Sequence, residues 1–314
     1  MRKNSMYILD HSLENHLYSV FFAPRGNIRM LQLGREIAQD YLSPFDLLIG
    51  IIGEAGSGKS MMVKGMFPGI ELSNDDEGVN IRPLPLLSVD DDEGFYAPHT
   101  YHVDVRFEMA FTQPHELAEC VKKAISKGRR VVVEHFELLY PLLEQNAQIL
   151  IGVGEEVMVT RPTLFGPLPE DVANIVHKSI QYRKMAHTAE DLVEHYLPEG
   201  WYEKCYHGDV KRGFMLEFDE KPDFDIRALQ NKVREVIAQD VGVSYYDDEH
   251  VRIGETIHPC SGPRIHVRST GEIENFRLLK EIFYDPYKEK YLIIGLVGER
   301  WDRETSDLNR LQYY

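Results

Sequence analysis

Gly53, Glu54, Ala55, Gly56, Ser57, Gly58, Lys59 and Ser60 stand in the order G-x-x-x-x-G-K-[ST], and every fixed slot of that phosphate-binding pattern is filled. The residue types suit one task. Glycines let the backbone turn through φ > 0 and bring several N–H groups to face one anion, while the following helix adds the positive end of its dipole. In such a loop Lys59 reaches the β- and γ-phosphates, and the Ser60 hydroxyl holds Mg²⁺. The pattern predicts a site for ATP or GTP with Mg²⁺.

Further groups with chemical potential lie downstream. Residues 72–77 (LSNDDE) and 87–93 (LSVDDDE) each read as an aliphatic strand end followed by carboxylates. At the carboxyl end of a parallel strand an acid faces the phosphate crevice, so one of Asp75 and Asp90 is a candidate functional group and the other acids read as solvated loop. Residues 129–134 (RRVVVE) predict a buried strand ending in Glu134, the place and composition of a Walker B element whose carboxylate reaches Mg²⁺ through water. His187 and Asp191 are four apart on a predicted helix and fall on one face. With Cys260 and His266 they make a chemically acceptable set of Zn²⁺ ligands.

The elements that must position these groups follow from length and pattern. The 314 residues suffice for a sizeable core and favour two domains, with hydrophobic and charged contents (43% and 27%) of a globular protein. Residues 1–45 read as an extension packed on the first domain, with short strands at Tyr7 to Leu9 and Leu17 to Phe22 and helical spacing from Ile28 to Tyr41. Residues 46–165 form the phosphate-loop domain, an α/β unit with a mostly parallel sheet flanked by helices. The Pro-rich stretch 162–171 reads as a boundary, residues 172–300 as an α+β domain opened by a long helix to Leu197, and residues 301–314 as a tail. Residues 209–218 and 291–297 read as strands.

Charge and cysteine content narrow the partners. A net charge of −16 argues against broad non-specific binding to nucleic acid, although Lys211, Arg212, Arg264, Arg268 and Arg277 form a locally basic group. Cys120, Cys205 and Cys260 are too few and scattered for a disulfide framework. No apolar run approaches a bilayer span and the first residues lead into no signal-like apolar stretch, so no membrane partner and a cytoplasmic location are expected.

Two resemblances emerge from these motifs. Residues 131–140 (VVVEHFELLY) and the two LS-x-D segments resemble the uridine kinases, a nucleoside-kinase family with a P-loop fold. The resemblance spans about Asp46 to Pro162 and implies that the base acting on the acceptor hydroxyl is Asp90, or Asp75 if the second run is an insertion. The family's Arg-rich lid is not matched, since Arg161 is followed by Pro162. That departure favours nucleotide binding over transfer to a nucleoside.

Residues 258–273 (HPCSGPRIHVRSTGEI) are similar to the signature of the second additional domain of alanyl- and threonyl-tRNA synthetases. This match covers about Ala186 to Val297. It implies an editing-like domain that hydrolyses mischarged aminoacyl-tRNA, with His187, Asp191 in place of a second His, Cys260 and His266 as zinc ligands. The 3′ end of tRNA or an amino acid is the implied partner. The expected whole is an ATP- or GTP-binding kinase-like phosphotransferase or NTPase joined to a metal-binding, editing-like domain. The alternatives are a free-standing deacylase of Ala-, Ser- or Thr-charged tRNA with a regulatory P-loop domain, and a nucleotide-gated sensor that turns over neither ligand.

Overall fold

The structure is a computed structural model that describes residues 18–74, 84–88, 99–247, 249–260 and 265–299. Tyr7 to Leu9, Asp75, Asp90, Arg264 and the tail lie outside the described residues.

The first half begins with β1 (Tyr18–Phe22), α1 (Asn27–Tyr41), β2 (Leu48–Gly53) and α2 (Lys59–Met66). A 3-10 turn at Pro85–Ser88 precedes β3 (Thr100–Asp104), the single-turn α3 (Val105–Glu108), α4 (Pro114–Ser126) and β4 (Arg130–Glu134). Then come α5 (Phe136–Leu143), β5 (Ile149–Val153) and β6 (Glu156–Thr160). The strands form one sheet in the order β1-β6-β5-β2-β4-β3. β2 is parallel to β4 and β5, and β3 is parallel to β4, whereas β6 and β1 close the far edge in antiparallel pairing.

Every residue of β2 is buried, as a strand covered on both faces requires. Successive side chains alternate between two cores. Leu48 and Ile52 meet Val131, Val133 and Leu150 under α4 and α5; Ile49 and Ile51 meet Val132 and Ile151 under α1 and α2. Arg161, at the end of β6, pairs with Asp46 at 2.6 Å and donates to Tyr41 O. Asp46 precedes β2, so this arginine sits at the sheet end opposite the Gly53–Ser60 loop.

The acidic runs do not follow strands. Leu72 is in coil and Ser73 in a turn, while Leu87 and Ser88 belong to the 3-10 turn, where Pro85 cannot donate to a ladder. The strand that delivers a carboxylate beside Glu134 is β3, whose Asp104 is in register with Glu134.

Past the prolines, α6 (Pro169–His195) runs for 27 residues, about 40 Å. Val172, Ala173 and Val176 complete the first core, whereas Met185, Ala189, Leu192 and Val193 lie in a second. The helix that opens the second half therefore serves both.

The remainder comprises β7 (Tyr206–Val210), β8 (Gly213–Phe218), α7 (Ile226–Gln239), β9 (Val243–Asp247), β10 (His250–Ile253) and β11 (Thr256–Pro259). β12 (Arg277–Leu278), β13 (Phe283–Asp285) and β14 (Lys290–Leu296) complete it. Residues 209–218, expected as one strand, fold back at Lys211-Arg212, where Arg212 adopts φ 54°, so that β7 and β8 form a hairpin. One antiparallel sheet is ordered β11-β10-β9 and the other β12-β14-β8-β7, with β13 beside β14. Phe214, Leu216 and Phe218 pack with Leu229, Val233 and Ile293 against α6. The chain is mixed α/β, a mostly parallel sheet followed by antiparallel ones. Among the described residues no helix is long and apolar enough to cross a membrane.

Candidate functional site

The Gly53–Ser60 stretch links the end of β2 to the start of α2. Gly56 and Gly58 take φ 77° and 93°, a region an L-residue enters only under strain, and a Cβ on Gly53 would stand 2.6 Å from Val153 O. The first N–H groups of α2 have no acceptor within the helix. The Ser57 hydroxyl is buried without a partner.

Three side chains converge at this end of the sheet. Ser60 Oγ donates to Glu134 Oε1 at 2.9 Å, and Lys59 Nζ donates to Glu54 O at 2.8 Å while lying 3.8 Å from Glu134 Oε2. His102 Nδ1 accepts from Ser73 N–H at 3.1 Å, which leaves Nε2 to donate to Glu134 Oε1, also at 3.1 Å. Burial alone would push the Glu134 carboxyl up; the His102 hydrogen bond, Lys59 and Ser60 outweigh it and hold the group at about 2. Glu134 is thus a fixed, ionised acceptor beside the loop's lysine and hydroxyl.

Asp104 caps α3 by accepting from Phe107 N–H at 3.1 Å, and its other oxygen accepts from Asn74 Nδ2 at 2.7 Å. Ser73 Oγ accepts from Asp104 N–H at 3.0 Å. The residue after Asn74 is Asp75, which like Asp90 is outside the described residues. Sequence reasoning missed His102 and Asp104: residues 100–104 (TYHVD) end in an acid as residues 130–134 do, but hold a single aliphatic residue, so the only signal is their β-branched and aromatic content.

A second constellation sits farther along α6. Asp191 Oδ2 meets His266 Nε2 at 2.8 Å, and Cys260 Sγ lies 3.6 Å from the same nitrogen. One potential ligand atom from each of these three residues falls within 4.8 Å of the others. Thr188 sets the register: its hydroxyl donates to Lys184 O and accepts from Val267 N–H, tying the segment that carries His266 to the helix that carries Asp191. His187, the remaining expected ligand, is outside this trio, with its ring centroid 6.2 Å from that of His266. Its Nδ1 is buried without a hydrogen bond, and burial with nearby Arg25 and Arg183 pushes its pKa well down, so the ring is neutral.

The same helix face carries Glu190 and Glu194, which with His207 on β7 form another potential ligand group. Arg25, from the loop between β1 and α1, enters these carboxylates. Its Nη1 is 2.5 Å from Glu190 Oε2 and 3.5 Å from Glu194 Oε1, and its Nη2 bonds Asp191 Oδ1. Burial would lower the arginine's pKa, and the carboxylates overcome it and raise it well above normal. Burial likewise opposes the charged forms of His207 and His266, but their carboxylate hydrogen bonds raise each to about 9. Three carboxylates and three cations therefore balance in one largely buried cluster. Spacing signals Glu190 and Glu194, since His187, Glu190, Asp191 and Glu194 recur at three- and four-residue intervals. Nothing local signals Arg25, which lies 166 residues from Asp191.

Between the two constellations α6 contacts the Gly53–Ser60 loop. Arg183 Nη1 donates to Ser57 O at 3.0 Å and Gly154 O at 3.4 Å, and its Nη2 to Pro24 O at 3.3 Å. Burial lowers this guanidinium to about 10. Lys184 pairs with Glu54 at 2.6 Å. From Arg183 to Asp191 is about 12 Å of helix. Of the basic group read from sequence, Lys211 faces Glu156 at 3.6 Å, Arg212 lies over Tyr182, and Arg277 sits on a different wall of the second half. Compared with models of known protein families and with curated proteins, the chain matches none of them.

Proposed function

We propose that the chain binds ATP or GTP with Mg²⁺ in a P-loop NTPase fold, as a nucleoside-kinase-like phosphotransferase or NTPase, and that α6 joins this site to a metal-binding, editing-like site. The observation that carries the nucleotide reading is the convergence of Lys59, Ser60 and Glu134 at the end of β2 and β4. The positive-φ glycines and the orphaned Ser57 hydroxyl fit a polyanion cradled by backbone N–H groups. Gly53 to Ser60 hold the phosphates, Ser60 and Glu134 serve Mg²⁺, and Asp75 or Asp90 takes the proton of the attacking hydroxyl or water. Bound Mg²⁺ supplies neutralisation of charge on the transferring phosphoryl group. The protein's own part is to position: His102 and Ser60 orient Glu134, and Asp104 anchors Asn74 beside Asp75. Saturating ATP or GTP with Mg²⁺, at 100 times Kd, stabilises the fold by about 2.7 kcal/mol. Absence of any upward shift in melting temperature with either nucleotide refutes the reading, and Lys59→Ala abolishes the shift if it holds.

A second reading belongs to the Asp191–Cys260–His266 trio, which favours hydrolysis of an aminoacyl ester on the 3′ end of tRNA. Nitrogen, oxygen and sulfur donors suit Zn²⁺, and three protein ligands leave a position open to a water or substrate. A cavity of about 170 Å³ opens on Cys260 and His266, room for a small amino acid. Bound Zn²⁺ supplies Lewis acidity, and the neutral His187 is an additional donor beside the set. This reading predicts zinc in the purified protein and release of amino acid from Ala-, Ser- or Thr-charged tRNA, lost in Cys260→Ala. Zinc binding with no release leaves the sensor reading, which the contacts of Arg183 and Lys184 with the phosphate loop favour.

A further inference from the structure

The second half carries a groove where the first turn of α7 faces the β12–β13 segment. Its volume is about 1120 Å³, beyond the roughly 300–1,000 Å³ of a small-molecule site. Five cations line it: Lys221, Arg227, Arg234, Arg277 and Lys280. Of the two acids in its lining, Asp225 is engaged as the α7 cap, accepting from Arg227 N–H at 2.8 Å and Ala228 N–H at 3.2 Å. Five cations thus face two carboxylates, an excess of three positive charges in the lining.

None of the five forms an ion pair among the described residues. Arg234 donates through Nε and Nη2 to Phe276 O, and Arg277 through Nη1 to Asn275 O, so two guanidinium groups are fixed on the wall by carbonyls, their charge left unopposed. Lys221, Arg227 and Lys280 are exposed. In a chain with 51 acids against 35 Lys and Arg, such a cluster is contrary to the average surface. Fold stability does not account for it, because like charges without partners repel. Phe283 lies among them with 40% of its surface exposed.

We propose that this groove binds single-stranded nucleic acid, its cations tracking the phosphates and Phe283 stacking on an unpaired base. The aromatic ring decides for a single strand over a duplex, whose bases present no free face. The assignment is independent of both readings above, since none of its residues belongs to the phosphate loop or the α6 cluster. The overall charge of −16 restricts binding to this one track and makes it steeply dependent on salt.

The test is fluorescence anisotropy of a labelled mixed-sequence 12-nucleotide RNA with the full chain, between 50 and 300 mM KCl. Three to five neutralised phosphates give a log–log salt slope of about −2 to −3.5. Arg227→Glu/Lys280→Glu weakens binding at least about tenfold, and Phe283→Ala by about fivefold to about 150-fold. Arg35→Glu/Lys178→Glu, an equal charge change on exposed positions of α1 and α6, leaves the affinity unchanged. Melting temperatures of the variants confirm their folding. Lack of binding at 50 mM KCl overturns the proposal, as do equal losses in the two double variants, equal affinity for the matching duplex, or tighter binding of a labelled poly-glutamate peptide.

Discussion

Replacing Arg25 by Met keeps most of the side-chain volume and removes the charge from between Glu190, Asp191 and Glu194. The arginine is 4% exposed and the three carboxylates no more than 5%, so water cannot take over its role. Removing one member of a buried ion pair costs about 3–5 kcal/mol, because the partner's desolvation is then uncompensated. His207 and His266 still carry positive charge at neutral pH, and they hold the loss towards the lower end. About 3 kcal/mol corresponds to a fall in melting temperature of about 5 °C for a chain of this size. Arg25→Lys keeps a charge but not the fork that spans three acids, and falls in between. Differential scanning fluorimetry in EDTA measures both. Added Zn²⁺ recovers part of the loss in Arg25→Met, since a dication on Asp191 supplies the missing charge. A fall below about 2 °C in EDTA means the guanidinium is not what neutralises these acids, and the electrostatic account of the cluster fails.

Glu134→Gln removes the ionised acceptor beside Ser60, and isothermal titration then shows nucleotide affinity that no longer responds to Mg²⁺. The same carboxyl, at about 2 when folded against an ordinary 4.5, contributes about 3 kcal/mol that is present above pH 4.5 and lost as pH falls towards 2. Glu155 has the opposite sign: burial, with Glu156 adding to it against the Arg212 N–H bond, lifts it to about 7, so its contribution is complete below pH 4.5 and disappears as pH rises through 7. Glu155→Gln flattens that part of the stability–pH curve, where the wild type loses about 2 kcal/mol after allowance for partial exposure. Thr188→Val breaks the hydroxyl link between α6 and Val267 and, by leaving an N–H without its acceptor, destabilises by about 1–3 kcal/mol, read from urea midpoints.

Much of the first half is legible in sequence because its signals are local. A buried aliphatic run, a glycine cradle and a strand ending in Glu134 are each contained within a few residues, and the structure sets them side by side. The acidic runs were misread as strand ends because leucine and serine before a carboxylate look alike in a strand, a turn and a 3-10 segment; Pro85 carried the distinction. Among the described residues the acid that ends a parallel strand beside Glu134 is Asp104. In the second half, helical spacing marks one face of α6, yet the position of Arg25 among its carboxylates depends on packing between segments remote in the chain. The hairpin at Lys211-Arg212 was hidden for a related reason: Arg212 adopts positive φ without the glycine that ordinarily announces it.

Pro24 and Arg25 give α6 a double attachment. Arg183 holds Pro24 O and the Ser57 carbonyl of the Gly53–Ser60 loop with one guanidinium, while the adjoining Arg25 lies in the acids about 12 Å farther along the same helix. Arg183 is thus the contact through which a displacement of Ser57 would reach Pro24 and the adjoining Arg25. Coupling is then a matter of differential affinity: nucleotide shifts the α6 cluster only if it binds one placement of Ser57 better than another. Reciprocity supplies the check. If Mg²⁺ and ATP change the affinity for Zn²⁺ by some factor, Zn²⁺ changes the affinity for Mg-ATP by that same factor, and Arg183→Met brings both factors to one while leaving each site able to bind. Unequal factors at equilibrium, or a coupling that survives Arg183→Met, rule out this helix as the link.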